Sequence, residues 1–117
     1  MSISIIAFKL AVFLKLLASH YICDYPLQGE FLAKAKNHRL PLPGVPWYQA
    51  LFAHAFIQAA GVFWVTRSWI LATGEFVLHA YIDFAKCEGK LTFNQDQALH
   101  IACKLIWAAI MVELMRP

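Results

Sequence analysis

Charge is the scarcest property of this sequence: Asp, Glu, Lys and Arg make up 15% of its 117 residues, against about a quarter in an ordinary soluble domain. Apolar residues reach 61%, above the customary share of about 45–50%. So short a chain has much surface to cover and few charges to cover it with, which argues for a bilayer rather than water. Paired cysteines are also missing. Cys23, Cys87 and Cys103 are odd in number and lack a C-x-x-C spacing, so neither a disulfide framework nor a zinc knuckle is indicated. A net charge of +3 is too small to suggest specific nucleic-acid binding. No positive region precedes the first apolar run, and Lys9 and Lys15 interrupt it. It reads as helix of the mature chain rather than as a signal peptide. Repeats, low-complexity stretches and redox motifs are absent.

What is present is a series of four apolar segments, residues 3–22, 47–66, 69–85 and 97–115. Each has about the minimum length that crosses a hydrocarbon core. The predicted fold is therefore all-α, a four-helix integral membrane bundle forming a single transmembrane domain over residues 1–117. Pro26, Pro41, Pro43 and Pro46 mark a long polar connection between the first two segments, with one short amphipathic helix expected around "GEFLAKAKN". "KCEGKLTFNQD" reads as the polar link before the last segment. Lys34, Lys36, Arg39, Lys86 and Lys90 in these two connections outnumber Lys9, Arg67 and Arg116 on the opposite side. The positive-inside rule then places both connections in the cytoplasm and both termini outside.

Against this greasy background the buried-type polar residues follow a pattern. His20-x-x-x-Asp24 recurs as His79-x-x-x-Asp83, with Glu75 one turn earlier, and in reverse as Asp96-x-x-x-His100; His54-x-x-x-Gln58 has the same period. A spacing of four puts each pair on one helix face. Antiparallel turns near residues 67 and 90 bring His54, His79 and His100 level, with Asp83 beside Asp96. Helix one repeats the order with His20 and Asp24. Four imidazoles thus form one layer and three carboxylates the next, on the side of the polar connections.

Imidazoles and carboxylates inside a membrane need partners, and a divalent cation satisfies several at once. His20, Asp24, His54, His79, Asp83, Asp96 and His100 are the candidate ligands for one or two ions of zinc, manganese or iron. Glu75 and Asp96 are candidate general bases, and Gln28, Lys34, Lys86 and Gln97 candidate substrate contacts. The competing structural reading is an ion-pair network in which the aspartates neutralise Lys34, Lys86 or Lys104. Lys86, three residues after Asp83, is placed for such a contact. His38 reads as a solvated loop residue, Cys103 as small apolar core, and Gly61 as a site of close helix packing.

The strings "HYICDYPLQGEFLAKAK", "LFAHA", "EFVLHAYIDFAK" and "DQALH" resemble the small bacterial and phage membrane proteins gathered as domain of unknown function 3307. The family pattern falls here on His20, Asp24, Gln28 and Lys34, on His54, on His79, Asp83 and Lys86, and on Asp96, Gln97 and His100. The proline-rich connection over residues 38–46 and Glu75 have no clear counterpart in it. The resemblance reinforces the site and leaves the reaction open.

The expectation is a protein of the bacterial inner membrane whose site opens to the cytoplasm. The lipid bilayer is its first partner, and a homo-oligomer is compatible with the sequence. Its reaction is expected to be metal-dependent hydrolysis of a lipid or nucleotide phosphoester. Two alternatives stand beside it: an ion- or proton-coupled transporter or channel, and a membrane interaction protein whose polar cluster only fixes helix register.

Overall fold

A computed structural model describes residues 2–114, and within them the chain forms five helices and no strand. Met115 and Arg116, counted above as the end of the fourth segment and as an outer cation, lie outside the described residues. Helix α1 covers Ile3–Asp24, α2 Gly29–Ala35, α3 Trp47–Thr66, α4 Trp69–Cys87 and α5 Phe93–Leu114.

The boundaries have local causes. Ser2 caps α1 by accepting a hydrogen bond from the Ile5 N–H at 3.3 Å, and Pro26, which has no N–H to donate, follows its end. The short amphipathic helix expected in the first connection is α2. Helix α3 begins directly after Pro46 and ends at Arg67, whose φ of 57° is left-handed. The Arg67 N–H then donates to the Phe63 carbonyl at 2.7 Å, closing the helix in the manner usually left to glycine. Ser68 caps α4 through the Leu71 N–H, so α3 and α4 form a hairpin joined by two residues.

The last helix starts earlier than the apolar pattern suggests. Thr92 Oγ1 accepts from the Gln95 N–H at 3.1 Å while Gln95 Oε1 accepts from the Thr92 N–H at 3.0 Å. This reciprocal capping box nucleates α5 at Phe93, drawing "FNQD", expected as linker, into the helix and placing Asp96 in its first turn. At the other side of the link, α4 runs on to Cys87.

Helices α1, α3, α4 and α5 surround a common interior, each packed against its two neighbours, and α2 lies against α3. Close approach of α1 and α3 depends on Gly61, where a Cβ would collide with Ser19 Oγ. One part of the interior is apolar: Val12, Leu16, Val62, Leu71, Trp107 and Ala108 pack together there. The outer surface is also apolar. Trp69, Ile70 and Tyr81 on α4 are 71–76% exposed, and Leu105, Ile106 and Leu114 on α5 are exposed as well.

Among the described residues, α1 and α3 are long and apolar enough to cross a membrane; α4 and α5 are not. The four spans expected from the sequence thus reduce to two on this measure. For α4 the reason is compositional: it carries Glu75, Asp83 and Lys86.

Candidate metal centre

All four helices of the bundle contribute a histidine to one buried cluster. His20, His54, His79 and His100 are each no more than 1% exposed, and Glu75, Asp83 and Asp96 no more than 3%. The level arrangement inferred from the turns holds. The His79 and His100 rings stack with centroids 4.0 Å apart, His54 meets His79 edge-on at 4.9 Å, and His20 lies 5.3 Å from His100.

Asp24 and Asp83 tie these rings together. Asp24 Oδ1 is 3.0 Å from His54 Nε2, and Asp24 Oδ2 is 3.7 Å from His20 Nε2. Asp83 Oδ1 is 3.0 Å from His100 Nε2, while its Oδ2 lies 3.5 Å from His54 Nε2 and 3.6 Å from His79 Nε2. Asp96 stands beside Asp83, with Oδ1 3.4 Å from His100 Nε2. Two overlapping groups, Asp24 with His54 and His79, and His79 with Asp83 and His100, have ligand atoms close enough to share an ion.

Amide side chains hold the acids in place. Gln97 donates to Asp24 Oδ2 at 2.9 Å and to Asp96 Oδ2 at 3.2 Å, and its Oε1 lies 3.1 Å from His20 Nε2. Gln58 donates to Asp24 Oδ1 at 3.1 Å. Gln28 bonds only the Asp24 backbone carbonyl, so it steadies the end of α1 without touching the imidazoles. Several buried polar atoms have no hydrogen-bond partner, among them Asp96 Oδ1, Gln58 Oε1, His20 Nδ1 and His54 Nδ1. Buried polar atoms are normally paired, so Asp96 Oδ1 and Gln58 Oε1 leave acceptor capacity beside the imidazoles that another group can complete.

Glu75 sits one turn from His79, where it receives three donors. Lys104 Nζ approaches to 2.5 Å, Trp107 Nε1 to 2.7 Å and His79 Nδ1 to 3.1 Å. Gly74 permits the Trp107 contact, since a Cβ there would come within 2.9 Å of the indole ring. A carboxylate held by an ammonium and an indole N–H can only accept from the imidazole. His79 Nδ1 therefore carries a proton, and the lone pair of the neutral ring points from Nε2 into the cluster. The geometry makes Glu75 an orienting group for His79 rather than an unengaged base.

Two of the lysines singled out from the sequence are not brought to the cluster. Lys34 is largely exposed on α2 and pairs with Glu30 at 2.6 Å, because its helix directs it away from the bundle. Lys86 lies over the Phe93 ring at 4.9 Å instead of contacting Asp83. Lys36 takes that place, its Nζ 2.6 Å from Asp83 Oδ2 with only 13% of its side chain exposed. Lys104, considered as a partner of the aspartates, pairs with Glu75 instead; with Asp96 and His100 it continues one i, i+4 stripe along α5. Lys36 had no such signal, since a turn delivers it.

His38 is not solvated. Its ring stacks on Phe84 with centroids 4.0 Å apart, and Nε2 lies 2.6 Å from Glu88 Oε1, while Arg39 binds the other Glu88 oxygen at 2.9 Å. The His38 hydrogen bond holds the Glu88 carboxyl below the usual carboxylate range, with Arg39 acting in the same direction. Burial opposes both. Through this contact the first connection is latched to the end of α4, next to Lys36.

Fold and site together define an all-α bundle built around a buried His/carboxylate cluster. The chain belongs to the family described as "Protein of unknown function (DUF3307)", whose model matches residues 12–116. No curated protein and no solved structure matches it.

Proposed function

We propose that this protein is a four-helix integral protein of the bacterial inner membrane that binds one or two divalent cations and hydrolyses phosphoesters at a site facing the cytoplasm. The observation that carries the metal reading is the spacing of His54 Nε2, His79 Nε2, Asp24 Oδ1 and Asp83 Oδ2. Five of the six separations among them are 3.0, 3.1, 3.5, 3.6 and 3.9 Å. Ligands held tetrahedrally at about 2.0–2.1 Å from a metal lie about 3.3–3.4 Å from one another. Nitrogen and oxygen donors without thiolate suit zinc, manganese or iron.

Charge supports the same reading. Asp24, Asp83, Asp96 and Glu75 face Lys36 and Lys104, leaving two negative charges when the imidazoles are neutral. One divalent ion balances them, and a second would leave a positive excess suited to a phosphate group. Bound metal would polarise a phosphoryl oxygen and lower the pKa of water. Asp96, whose Oδ1 accepts no hydrogen bond, is the carboxylate available to receive a proton from that water. Lys36 takes the phosphate-binding role considered for Lys34 and Lys86.

The membrane placement draws on the inverted distribution of polarity on α4 and α5, where Glu75, Asp83, Asp96 and Lys104 are buried, and on the large apolar side chains exposed on all four long helices, although Lys15 on α1 is exposed as well. Helices α4 and α5 then cross the bilayer with their charged groups turned inward, as intramembrane ionisable residues require. A second reading, in which the cluster only fixes helix register, draws on the ion pairs Lys36–Asp83 and Lys104–Glu75. Elemental analysis of the detergent-purified chain separates the two. Stoichiometric metal that disappears in His79→Ala supports the hydrolase reading; a metal-free parent chain defeats it.

A further inference from the structure

An apolar groove of about 580 Å³ runs between α1 and α3, within the size range of about 300–1,000 Å³ typical of ligand sites. Ala18, Cys23 and Leu27 line one side, and Phe56, Ala60 and Trp64 the other. Its upper end abuts the cluster. Cys23 precedes Asp24, Ile57 precedes Gln58, and the Cys23 thiol donates to the Ile57 carbonyl at 3.8 Å.

Asp24, which follows Cys23, is more exposed than the other aspartates of the cluster. The Asp24 side chain is 10% exposed, compared with 3% for Asp83 and Asp96. Gln28, next to Leu27, buries a carbonyl oxygen that has no partner. From Cys23 down to Lys15, which borders its lower end, the groove descends about 12 Å at 1.5 Å per residue. In the topology proposed above, that descent runs from the cytoplasmic headgroup level toward the bilayer centre. It is the direction taken by the acyl chain of a lipid in the cytoplasmic leaflet.

We infer that the substrate is a lipid phosphoester whose phosphate enters at the Asp24 edge while one acyl chain lies in the α1–α3 groove. This inference rests on the hydrolase reading and narrows its substrate. In the reaction the oxygen of water bonds to phosphorus and the P–O bond to the lipid alcohol breaks. The alcohol oxygen keeps the bonding electron pair and takes up the proton that the water gives up.

The test uses the full chain, metal-loaded, in vesicles. Turnover of phosphatidic acid and of phosphatidylglycerol is compared with that of p-nitrophenyl phosphate and a nucleoside monophosphate, for the parent, Ala60→Trp and Ala18→Phe. Both alanines are exposed in the groove, so the larger rings fill it from opposite walls, and metal content reports that the site has folded. The expected result is a lipid-to-soluble turnover ratio reduced at least tenfold in both variants. An unchanged ratio in variants that retain metal overturns the lipid assignment, as does a parent that cleaves only the soluble esters, and both leave the hydrolase reading standing. A metal-loaded parent that cleaves none of the four defeats both.

Discussion

The bundle has two unlike halves beneath one kind of surface. Toward the polar connections its interior is filled by imidazoles, carboxylates and amides; toward the opposite end it is filled by Val12, Leu16, Val62, Leu71 and Ala108. The outside is largely apolar over both, although Lys15 on α1 is exposed. In the bilayer proposed above, apolar side chains would gain nothing from hiding from lipid, and the apolar half would be held mainly by packing. The polar half is held by obligation, because each charge must find a partner. Glu75, Lys104 and Trp107 mark the seam, where the deepest ion pair meets the first indole of the apolar core.

The largest change is expected at that seam. Lys104→Met leaves Glu75 buried and unpaired, which should cost about 3–5 kcal/mol. Adding Glu75→Gln should recover part of the loss in detergent thermal melts. Equal melts for the single and double variants would show that the seam is not an ion pair.

Within the polar half, Asp83→Asn removes a charged ligand oxygen shared by His54 and His79. It should weaken metal binding at least about a hundredfold, measured by competition with a chelator. Undiminished affinity would remove Asp83 from the ligand set.

The apolar half should respond differently. Leu16→Ala is expected to cost about 2 kcal/mol or less, since a lipid surrounding leaves the lost packing and little of the transfer from water. Metal content should not move, and a parallel loss of metal would mean that the halves are coupled.

The smallest effect is expected where the first connection meets α4. Glu88 has a depressed pKa in the folded chain, so its contribution is complete above the unfolded value of about 4.3 and is lost as pH falls through the lower folded value. The melting temperature of the parent should exceed that of Glu88→Gln near neutral pH and converge with it in acid. A constant difference across that range would exclude the His38–Glu88 latch as its source.

Much of this architecture was legible in the sequence because helical periodicity is local. Residues 47–66 were bounded to the residue, since Pro46 and the Arg67–Ser68 turn punctuate the apolar run. The matched depth of His54, His79 and His100 followed from counting residues on either side of two turns. The start of α5 was misread because the Thr92–Gln95 capping box lies in a polar stretch that hydropathy treats as linker. His38 was misjudged for a related reason: its partners Phe84 and Glu88 are more than forty residues away, beyond any local pattern.

The sequence by itself determined the helices, their approximate depth and the kinds of side chain each turns toward its neighbours, because those follow from spacing and from the cost of exposing charge to an apolar medium. Only the tertiary structure decided which cation answers which carboxylate. Lys36 reaches Asp83 from a turn, Lys34 is carried away by its helix, Lys86 settles over Phe93, and Lys104 claims Glu75 and so fixes the proton on His79. A long flexible side chain can satisfy its charge in several directions, and the choice among them is made by whatever the fold places within a few ångströms.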